Sequence, residues 1–416
     1  MGESIVIMGG GVIGLSCAFE LQSRGSKVTV LEPNNCGGQA SGAAAGMLAP
    51  YSENVEGPDD FFRLCLDSLR LYPKWQETIK QVSGQTFEYT NSGSLYTAFH
   101  QADLLALEGR LLWQRQFGSS GSILSGDELL RLEPLLSKNV QAALYTPEES
   151  HVYAPHYVSA LEQACRVIGV NIQENLERVE IVQWQQEVLV RSADHRLFSG
   201  DKLLVCSGAW AGELASTFGL YIPVHPIRGQ ICAYECEPAV HPVNHMVFSS
   251  QGYLVAKENG TLVCGASEDI AGFDTSVTAK GIERLQRWNK GVFPFLNELV
   301  PFHRWAGLRP STQDGLPLIG PVGGSNESLG SNRSNRSSQS SRVMLAVGHY
   351  RNGILLSPVT AKLAADWVYG NSSISPTSGI STTSSSTRSS IRSSTPSSTR
   401  SIEAFSPERF GRGLRV

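Results

Sequence analysis

The feature that most constrains this chain is a glycine-rich hexapeptide near its start, at residues 9–14. It reads G-x-G-x-x-G and directly follows Ser4–Met8, a mostly apolar run that is typical of a buried strand. A helical pattern comes next, and a second strand-like run at residues 28–31 ends in Glu32. This order predicts a Rossmann-like unit that binds a dinucleotide, and by itself it leaves FAD and NAD(P) both open.

Each glycine of the hexapeptide has a physical reason to be there. Gly9 allows the tight turn, Gly11 lets the backbone approach a pyrophosphate, and Gly14 lets the helix pack close to the strand. The free N–H groups and the positive dipole end of the helix N-terminus then face the phosphates. Glu32 lies about twenty residues further on, where a carboxylate can accept hydrogen bonds from ribose hydroxyls.

Length and charge exclude several classes of function. The chain has 416 residues, enough for two domains, and a net charge of −4. No basic field points to nucleic acid or to an anionic membrane, and no apolar run could span a bilayer. Because the first strand begins at Ser4, we expect no export signal and a cytoplasmic location. The eight cysteines include no C-x-x-C pair, so we expect free thiols and no metal site.

The pattern along the chain predicts an α/β fold, α+β overall. We expect helices over residues 58–82, 103–116, 126–136 and 156–169, with Pro73 ending or kinking the first before another begins. The strand-like runs are residues 188–190, 202–205, 231–234, 253–255, 261–263 and 343–347, the last followed by a helical stretch at 354–368.

Mainly strand-like segments at about 220–265 indicate that the nucleotide-binding domain is interrupted by a sheet-rich one. Two low-complexity tracts cannot bury enough apolar surface to offset their ordering entropy, so we expect both to be disordered insertions. The predicted division is a discontinuous nucleotide-binding domain (1–85, 145–220, 305–370), an interleaved antiparallel-sheet substrate domain (86–144, 221–304), the insertions 323–342 and 371–401, and a C-terminal tail at 402–416.

Three further segments carry the chemistry. Small residues at 37–47 would let backbone N–H groups reach a bulky ligand, which modestly favours FAD. Later come RWAGLRPSTQDGLP at residues 304–317 and GHYRNGILL at 348–356. On these segments, the hexapeptide and Glu32, the chain resembles the D-amino-acid oxidase class of FAD-dependent flavoproteins over roughly residues 3–370, the first insertion excepted. Within that class the likeness is strongest to the branch that oxidises glycine for thiamine biosynthesis.

The resemblance implies a Rossmann-like FAD-binding domain and roles for individual residues. Arg309 would bind the substrate carboxylate through its planar guanidinium, Tyr253 would donate to the same carboxylate, and Arg351 would lie beside flavin and substrate. His349 is expected to pack against the cofactor rather than to act as a base. The residues that the resemblance implies for FAD binding are Gly9, Gly11, Val12, Ile13, Gly14, Glu32, Pro33, Ala40, Ser41, Ala45, Gly46, Met47, Val179, His349, Tyr350, Arg351, Asn352, Gly353, Ile354 and Leu355.

The activity that the resemblance implies is oxidative deamination of glycine, and of sarcosine or small D-amino acids, to an imine and then to glyoxylate and ammonia. The substrate would pass a hydride to flavin N5, and oxygen would reoxidise the flavin to give hydrogen peroxide. The imine would supply thiazole formation in thiamine biosynthesis, which makes thiazole synthase a candidate partner. A homo-oligomer stays open.

Three alternatives remain at this point. The nearest is a D-amino-acid dehydrogenase that passes electrons to a quinone. An NAD(P)-dependent dehydrogenase would use the same hexapeptide, and a colourless protein would favour it. From a different class comes a non-enzymatic flavoprotein or a Ser/Arg-mediated scaffold, against which the presence of Arg309 and Arg351 argues.

Overall fold

The computed structural model describes residues 2–54, 57–236, 243–323, 341–370 and 403–411. At its centre Ser4–Met8 pairs in parallel with Lys27–Leu31 on one side and with Lys202–Val205 on the other. Its apolar side chains are buried on both faces, as a covered parallel sheet requires. The complete six-stranded sheet has the order Leu318–Pro321, Val343–Val347, Lys202–Val205, Ser4–Met8, Lys27–Leu31 and Asn171–Gln173, with only the first pair antiparallel.

Alternation along the central strand divides the core into two layers. Ile5 and Ile7 face a helical layer, whereas Val6 and Met8 face a small sheet on the other side. The helical layer consists of Val12–Ser23, Asp60–Ser83, Ala154–Val167 and Gly353–Tyr369. The small sheet consists of Val179–Gln183, Val188–Ser192 and Leu197–Gly200.

The helix Asp60–Ser83 runs unbroken through Pro73, so the expected division into two helices is wrong. Contacts with the helix Gly353–Tyr369 compensate for the backbone bond that proline cannot make. Ser68 Oγ and the hydroxyl of Tyr72, the residue directly before the proline, donate to two main-chain carbonyls of that helix. Tertiary packing therefore outweighs the local preference of the sequence.

A second, eight-stranded sheet holds most of the strands in the second half of the chain. All its pairs are antiparallel except that of Met246–Ser249 with Ser94–Ala98. The predicted boundary at residue 305 falls inside the strand His303–Thr312, which pairs along Val224–Glu235. Because this boundary divides one continuous strand, the predicted division into two domains stays a proposal. The strand order is His303–Thr312, Val224–Glu235, Thr261–Gly265, Gly252–Ala256, Met246–Ser249, Ser94–Ala98, Ala142–Thr146 and Ser122–Ser125.

Further helices and a small sheet complete the fold, which as a whole confirms the mixed α/β prediction. The remaining helices are Ala40–Ala43, Pro50–Glu53, Asp103–Gln116, Gly126–Leu132, Ala215–Phe218 and Ala279–Val292, with 3-10 turns at Gly208–Leu214, Pro294–Glu298 and Pro407–Phe410. Met47–Leu48, Ser150–Val152 and Tyr89–Thr90 form a further three-stranded sheet.

Several sequence expectations concern segments or features outside these two sheets. The predicted insertion at 371–401, and residues 324–340 of the other, lie outside the described residues, as do 402 and 412–416 of the tail. All eight cysteines are free thiols, as expected. In the described part of the chain, every helix is too short or too polar to cross a bilayer.

Candidate active site

The two large sheets enclose a cavity of about 1080 Å³. Met8, Leu31 and Val347, at the carboxyl ends of parallel strands, line it on one side, and Ile231 and Leu308 of the eight-stranded sheet line it on the other. Open α/β sheets bind ligands at this edge. The volume exceeds the upper end of the range typical of small-molecule sites, roughly 300–1,000 Å³, so there is room for a dinucleotide and a small second molecule.

The glycine-rich turn forms one end of this cavity. Gly9 has φ +109°, and a β-carbon there would overlap the carbonyl of Cys206. A β-carbon at Gly14 would overlap the carbonyl of Gly9, which is the close helix–strand approach that the sequence predicts. Gly11 is the N-cap of the helix Val12–Ser23 and lines the cavity. The helix therefore begins at the cavity wall, where its N–H groups suit an anion.

Glu32 lies in the same wall, and both its carboxylate oxygens accept backbone hydrogen bonds. Oε2 accepts from the Gly10 N–H at 2.7 Å and Oε1 from the Asn34 N–H at 3.0 Å. Burial raises the pKa of Glu32, and the two N–H donors act in the opposite direction. A carboxylate oxygen has more than one acceptor site, so Glu32 can still accept from a ribose hydroxyl.

The small-residue loop connects the turn to the eight-stranded sheet. Ser41 Oγ accepts from the Val12 N–H at 2.9 Å, and Trp305 Nε1 donates to the Ala43 carbonyl at 3.0 Å. Gly46 has φ +80°, and a β-carbon there would overlap the carbonyl of Val152. At Gly46 the small-residue loop thus carries no side chain, which would let a flat ligand lie against its backbone. Together with the helix start and Glu32, this donor set fits the pyrophosphate and ribose of FAD.

One cationic and one aromatic side chain of the eight-stranded sheet also line the cavity. Arg309 and Tyr253 both line it, and each lies over a glycine of a neighbouring strand, Gly229 and Gly265 respectively. Arg309 Nη1 donates to the Ser267 carbonyl at 3.0 Å. Burial raises the pKa of Tyr253 to about 12, so its hydroxyl remains a donor at neutral pH. Arg309 and Tyr253 therefore line the same cavity, and their roles toward a substrate stay predictions.

Sequence reasoning missed two acidic residues that line the cavity, Glu53 and Glu268. Arg351 Nε lies 3.6 Å from Glu53 Oε2, and Arg351 Nη1 lies 3.7 Å from Glu268 Oε1. The Tyr350 hydroxyl donates to the same Glu268 oxygen at 2.7 Å. Burial raises the pKa of Glu53, against the nearby charges of Arg351 and Arg309. No local motif marks these carboxylates, because they meet only when three distant segments come together.

The buried Glu149 accepts hydrogen bonds from the short helix Pro50–Glu53, which carries Glu53. Glu149 Oε1 accepts from the N–H groups of Tyr51 at 2.6 Å and Ser52 at 2.8 Å. Its second oxygen accepts from the hydroxyls of Ser52 and Ser94. Burial raises the pKa of Glu149 to about 7, although these four donors favour the ionised form.

The segment after Val343–Val347 closes the cavity. His349 is 3 % exposed, and its Nε2 lies 3.1 Å from Thr360 Oγ1. Burial lowers the pKa of His349 to about 3, so the imidazole is neutral and suits packing rather than base catalysis. Tyr350 has φ +49°, which turns the chain before the helix Gly353–Tyr369 begins.

Most predicted FAD-binding residues line the cavity, and three do not. Gly14 instead lets the helix Val12–Ser23 pack closely against the carbonyl of Gly9 in the glycine-rich turn. Asn352 is the N-cap of the helix Gly353–Tyr369, and Leu355 points into the hydrophobic core while its carbonyl accepts from Ser68. The predicted residues that line the cavity are Gly9, Gly11, Val12, Ile13, Glu32, Pro33, Ala40, Ser41, Ala45, Gly46, Met47, Val179, His349, Tyr350, Arg351, Gly353 and Ile354, besides Arg309 and Tyr253.

Away from the cavity, Cys36, Glu162 and Glu174 bring three potential metal-ligating atoms within 4.8 Å of one another. An arginine accounts for this cluster, since Arg166 Nη2 lies 2.7 Å from Glu162 and 2.6 Å from Glu174. The Cys36 N–H also donates to Glu174 at 2.6 Å. The carboxylates therefore already have cationic and N–H partners.

Comparison with known proteins gives relatives over most of the chain. It is 33% identical over 372 residues to the bifunctional protein ThiO/ThiG of Synechocystis sp., covering 88% of this chain but 51% of that one. The chain thus spans about half the length of that relative. It is 30% identical to the glycine oxidase of Bacillus licheniformis, covering 88% of this chain and 93% of the enzyme. The crystal structure of glycine oxidase from Geobacillus kaustophilus matches with a TM-score of 0.80 at 29% identity, over 89% of this chain and 96% of that one.

The family model of FAD-dependent oxidoreductases named DAO matches residues 4–367. This match confirms the predicted family and the prediction of FAD as the cofactor, in preference to NAD(P). The chain therefore belongs to the DAO family of FAD-dependent oxidoreductases.

Proposed function

We propose that this chain is an amino-acid oxidase that converts glycine, oxygen and water to glyoxylate, ammonia and hydrogen peroxide. The observation that carries the proposal is that Arg309 and Tyr253 both line the cavity, close enough for the Arg309 charge to act on the Tyr253 hydroxyl. Relatives named glycine oxidase support the choice of substrate. Sarcosine and small D-amino acids belong to the same proposed substrate class.

Arg309 is the proposed carboxylate-binding residue. Among the described residues it forms no salt bridge, and its Nη1 donates to the Ser267 carbonyl. Its planar guanidinium can therefore take a substrate carboxylate in a bidentate pair. The Tyr253 hydroxyl, which stays protonated, donates to the same carboxylate.

Two acidic residues add negative charge to the cavity wall. Glu53 and Glu268 both line the cavity, and both face Arg351. FAD supplies the two-electron acceptor for the amine oxidation when it is bound. The chain's own contribution is to hold the carboxylate, to orient the amine and to surround both with fixed charges.

Glycine-dependent peroxide formation by the purified yellow protein tests this proposal. We expect the protein to show the absorbance of bound flavin and to form peroxide and glyoxylate in equal amounts. The peroxide signal should disappear when catalase is added. Oxidation of amino acids that reduces a quinone-like dye while consuming no oxygen would instead favour the dehydrogenase alternative. Flavin that stays oxidised with every amine tested would contradict an amine-oxidising function.

We further propose that the reaction supplies thiazole formation in thiamine biosynthesis. The support is that several relatives are bifunctional ThiO/ThiG proteins, in which two activities share one chain. Complementation of a thiamine-requiring strain that lacks glycine oxidation would test this, with Arg309→Ala as the inactive control. Growth restored equally by both proteins would contradict the proposal. The cytoplasmic location and a homo-oligomer stay predictions.

A further inference from the structure

Arg309 contacts the segment that carries Glu268 in the wall of the cavity. Arg309 donates to the carbonyl of Ser267, the residue directly before Glu268. Both side chains line the same cavity. The charges of Glu268, Arg309 and Arg351 all act on the Tyr350 hydroxyl, so a substrate carboxylate bound by Arg309 is close enough for the charge of Glu268 to act on it.

The cationic partner of Glu268 is already shared. Arg351 lies between Glu268 and Glu53, with nitrogen–oxygen distances of 3.7 and 3.6 Å. The Tyr350 hydroxyl holds Glu268 in this position through a 2.7 Å hydrogen bond. Arg309 has no carboxylate partner among the described residues, whereas Arg284, which also lines the cavity, interacts electrostatically with Asp269.

We propose that Glu268 determines the charge selectivity of the site, because it occupies the position beside Arg351 that the second carboxylate of a dianionic amine would need. The site would then accept amines with one carboxylate and neutral or cationic substituents, and would reject iminodiacetate and D-aspartate. This inference rests on the proposed function and names its substrate class more narrowly.

Electrostatics favours this reading over a purely structural role for Glu268. A second substrate carboxylate would meet Glu268 beside an Arg351 that Glu53 and Glu268 already share, and like charges brought together at a binding site weaken binding. The Glu268 side chain is 54 % exposed, so it has no core-packing role to lose and solvent screens part of the repulsion. Glu53, whose side chain is only 11 % exposed, is the less suitable residue to vary.

Ligand binding to the FAD-loaded enzyme tests the inference without turnover. The probes are glycolate, with one carboxylate, and oxydiacetate, with two, and each Kd is read from the change in the flavin absorbance spectrum. In Glu268→Gln we expect oxydiacetate to bind about tenfold more tightly while glycolate changes by less than about twofold, given the screening at this exposed position. Glu268→Arg should shift the ratio of the two Kd values further.

The matched control is Glu77→Gln, the same exchange at an exposed position of the helix Asp60–Ser83. We expect its Kd ratio to equal that of the wild type. An unchanged ratio in Glu268→Gln, or an equal shift in the control, would overturn the inference. In parallel, wild-type protein that forms no peroxide from glycine or sarcosine would overturn the proposed function, while the titrations still decide the role of Glu268.

Discussion

The guanidinium group of Arg309 lies over the α-carbon of Gly229, so that a β-carbon at position 229 would occupy the space of the guanidinium. The two residues belong to the paired strands His303–Thr312 and Val224–Glu235. The position of the arginine therefore depends on a missing side chain on the neighbouring strand as well as on its own backbone.

Gly229→Ala should displace Arg309 while the fold is retained. Misplacement of a binding group by about 1 Å can cost on the order of 100-fold in rate, so we expect kcat/KM for glycine to fall by about 10- to 100-fold. This fall should come mainly from an increase in KM. The flavin content of the purified protein should stay that of the wild type. Steady-state peroxide assays and the visible spectrum measure both.

Gly109→Ala provides the matched control, because Gly109 lies in the helix Asp103–Gln116 and a β-carbon there would meet no atom within 4 Å. Alanine in a helix interior is favoured over glycine by about 1 kcal/mol, so this variant should be slightly more stable and fully active. Equal kinetics in the two variants would mean that Gly229 does not position Arg309.

Arg309 itself should be more sensitive to substitution than its glycine neighbour. In Arg309→Ala we expect a large increase of KM for glycine with flavin still bound, since loss of one partner of a charge-assisted pair costs on the order of 2–5 kcal/mol. Arg309→Lys should recover only part of the affinity, because an ammonium cannot form the bidentate pair. Wild-type kinetics in Arg309→Ala would rule out the role.

Residues that act within one short segment could be identified from the sequence. Residues 9–14 and Glu32 belong to one strand–turn–helix–strand unit, and their geometry follows from local backbone requirements. The strand Lys202–Val205 and the helix Asp103–Gln116 also have the bounds that the sequence predicts. Pro73 is the exception, where packing decides.

The acidic residues of the site could not be predicted in this way. Glu53 and Glu268 are separated by more than half the chain and meet only around Arg351. Gly229, in contrast, lies inside a strand, and its position there could have been noticed in the sequence. A glycine inside the strand Val224–Glu235 often marks the close approach of another group.

Glu32→Gln should weaken FAD binding. An amide in place of the carboxylate can accept from the Gly10 N–H, but its NH₂ group would then face the Asn34 N–H. Hydrogen bonds to a charged group contribute about 1.5–3 kcal/mol, so we expect the Kd for FAD to rise by roughly tenfold or more. Titration of the apoprotein with FAD measures this, with Glu77→Gln as the control. Equal affinities would show that the carboxylate charge is not needed.

The buried Glu149 should make stability depend on pH in a direction that is unusual for a carboxylate. Its pKa in the folded protein is raised to about 7 by burial, above its ordinary value of about 4.3 in an unfolded chain. Between these two values the folded state binds more protons, so its contribution to the free energy of unfolding falls as the pH rises and becomes constant above about pH 7. Buried His151 and His349, whose pKa values are lowered to about 4 and about 3, act in the opposite direction below the pKa of unfolded histidine. The difference between two proteins therefore isolates Glu149.

Relative to the wild type, Glu149→Gln should gain stability from pH 5 to pH 8, by about 3 kcal/mol at most, as measured by urea unfolding at each pH. Glu148→Gln, the same exchange at the neighbouring position, should show no such gain, and parallel profiles for all three proteins would mean that Glu149 does not titrate in this range.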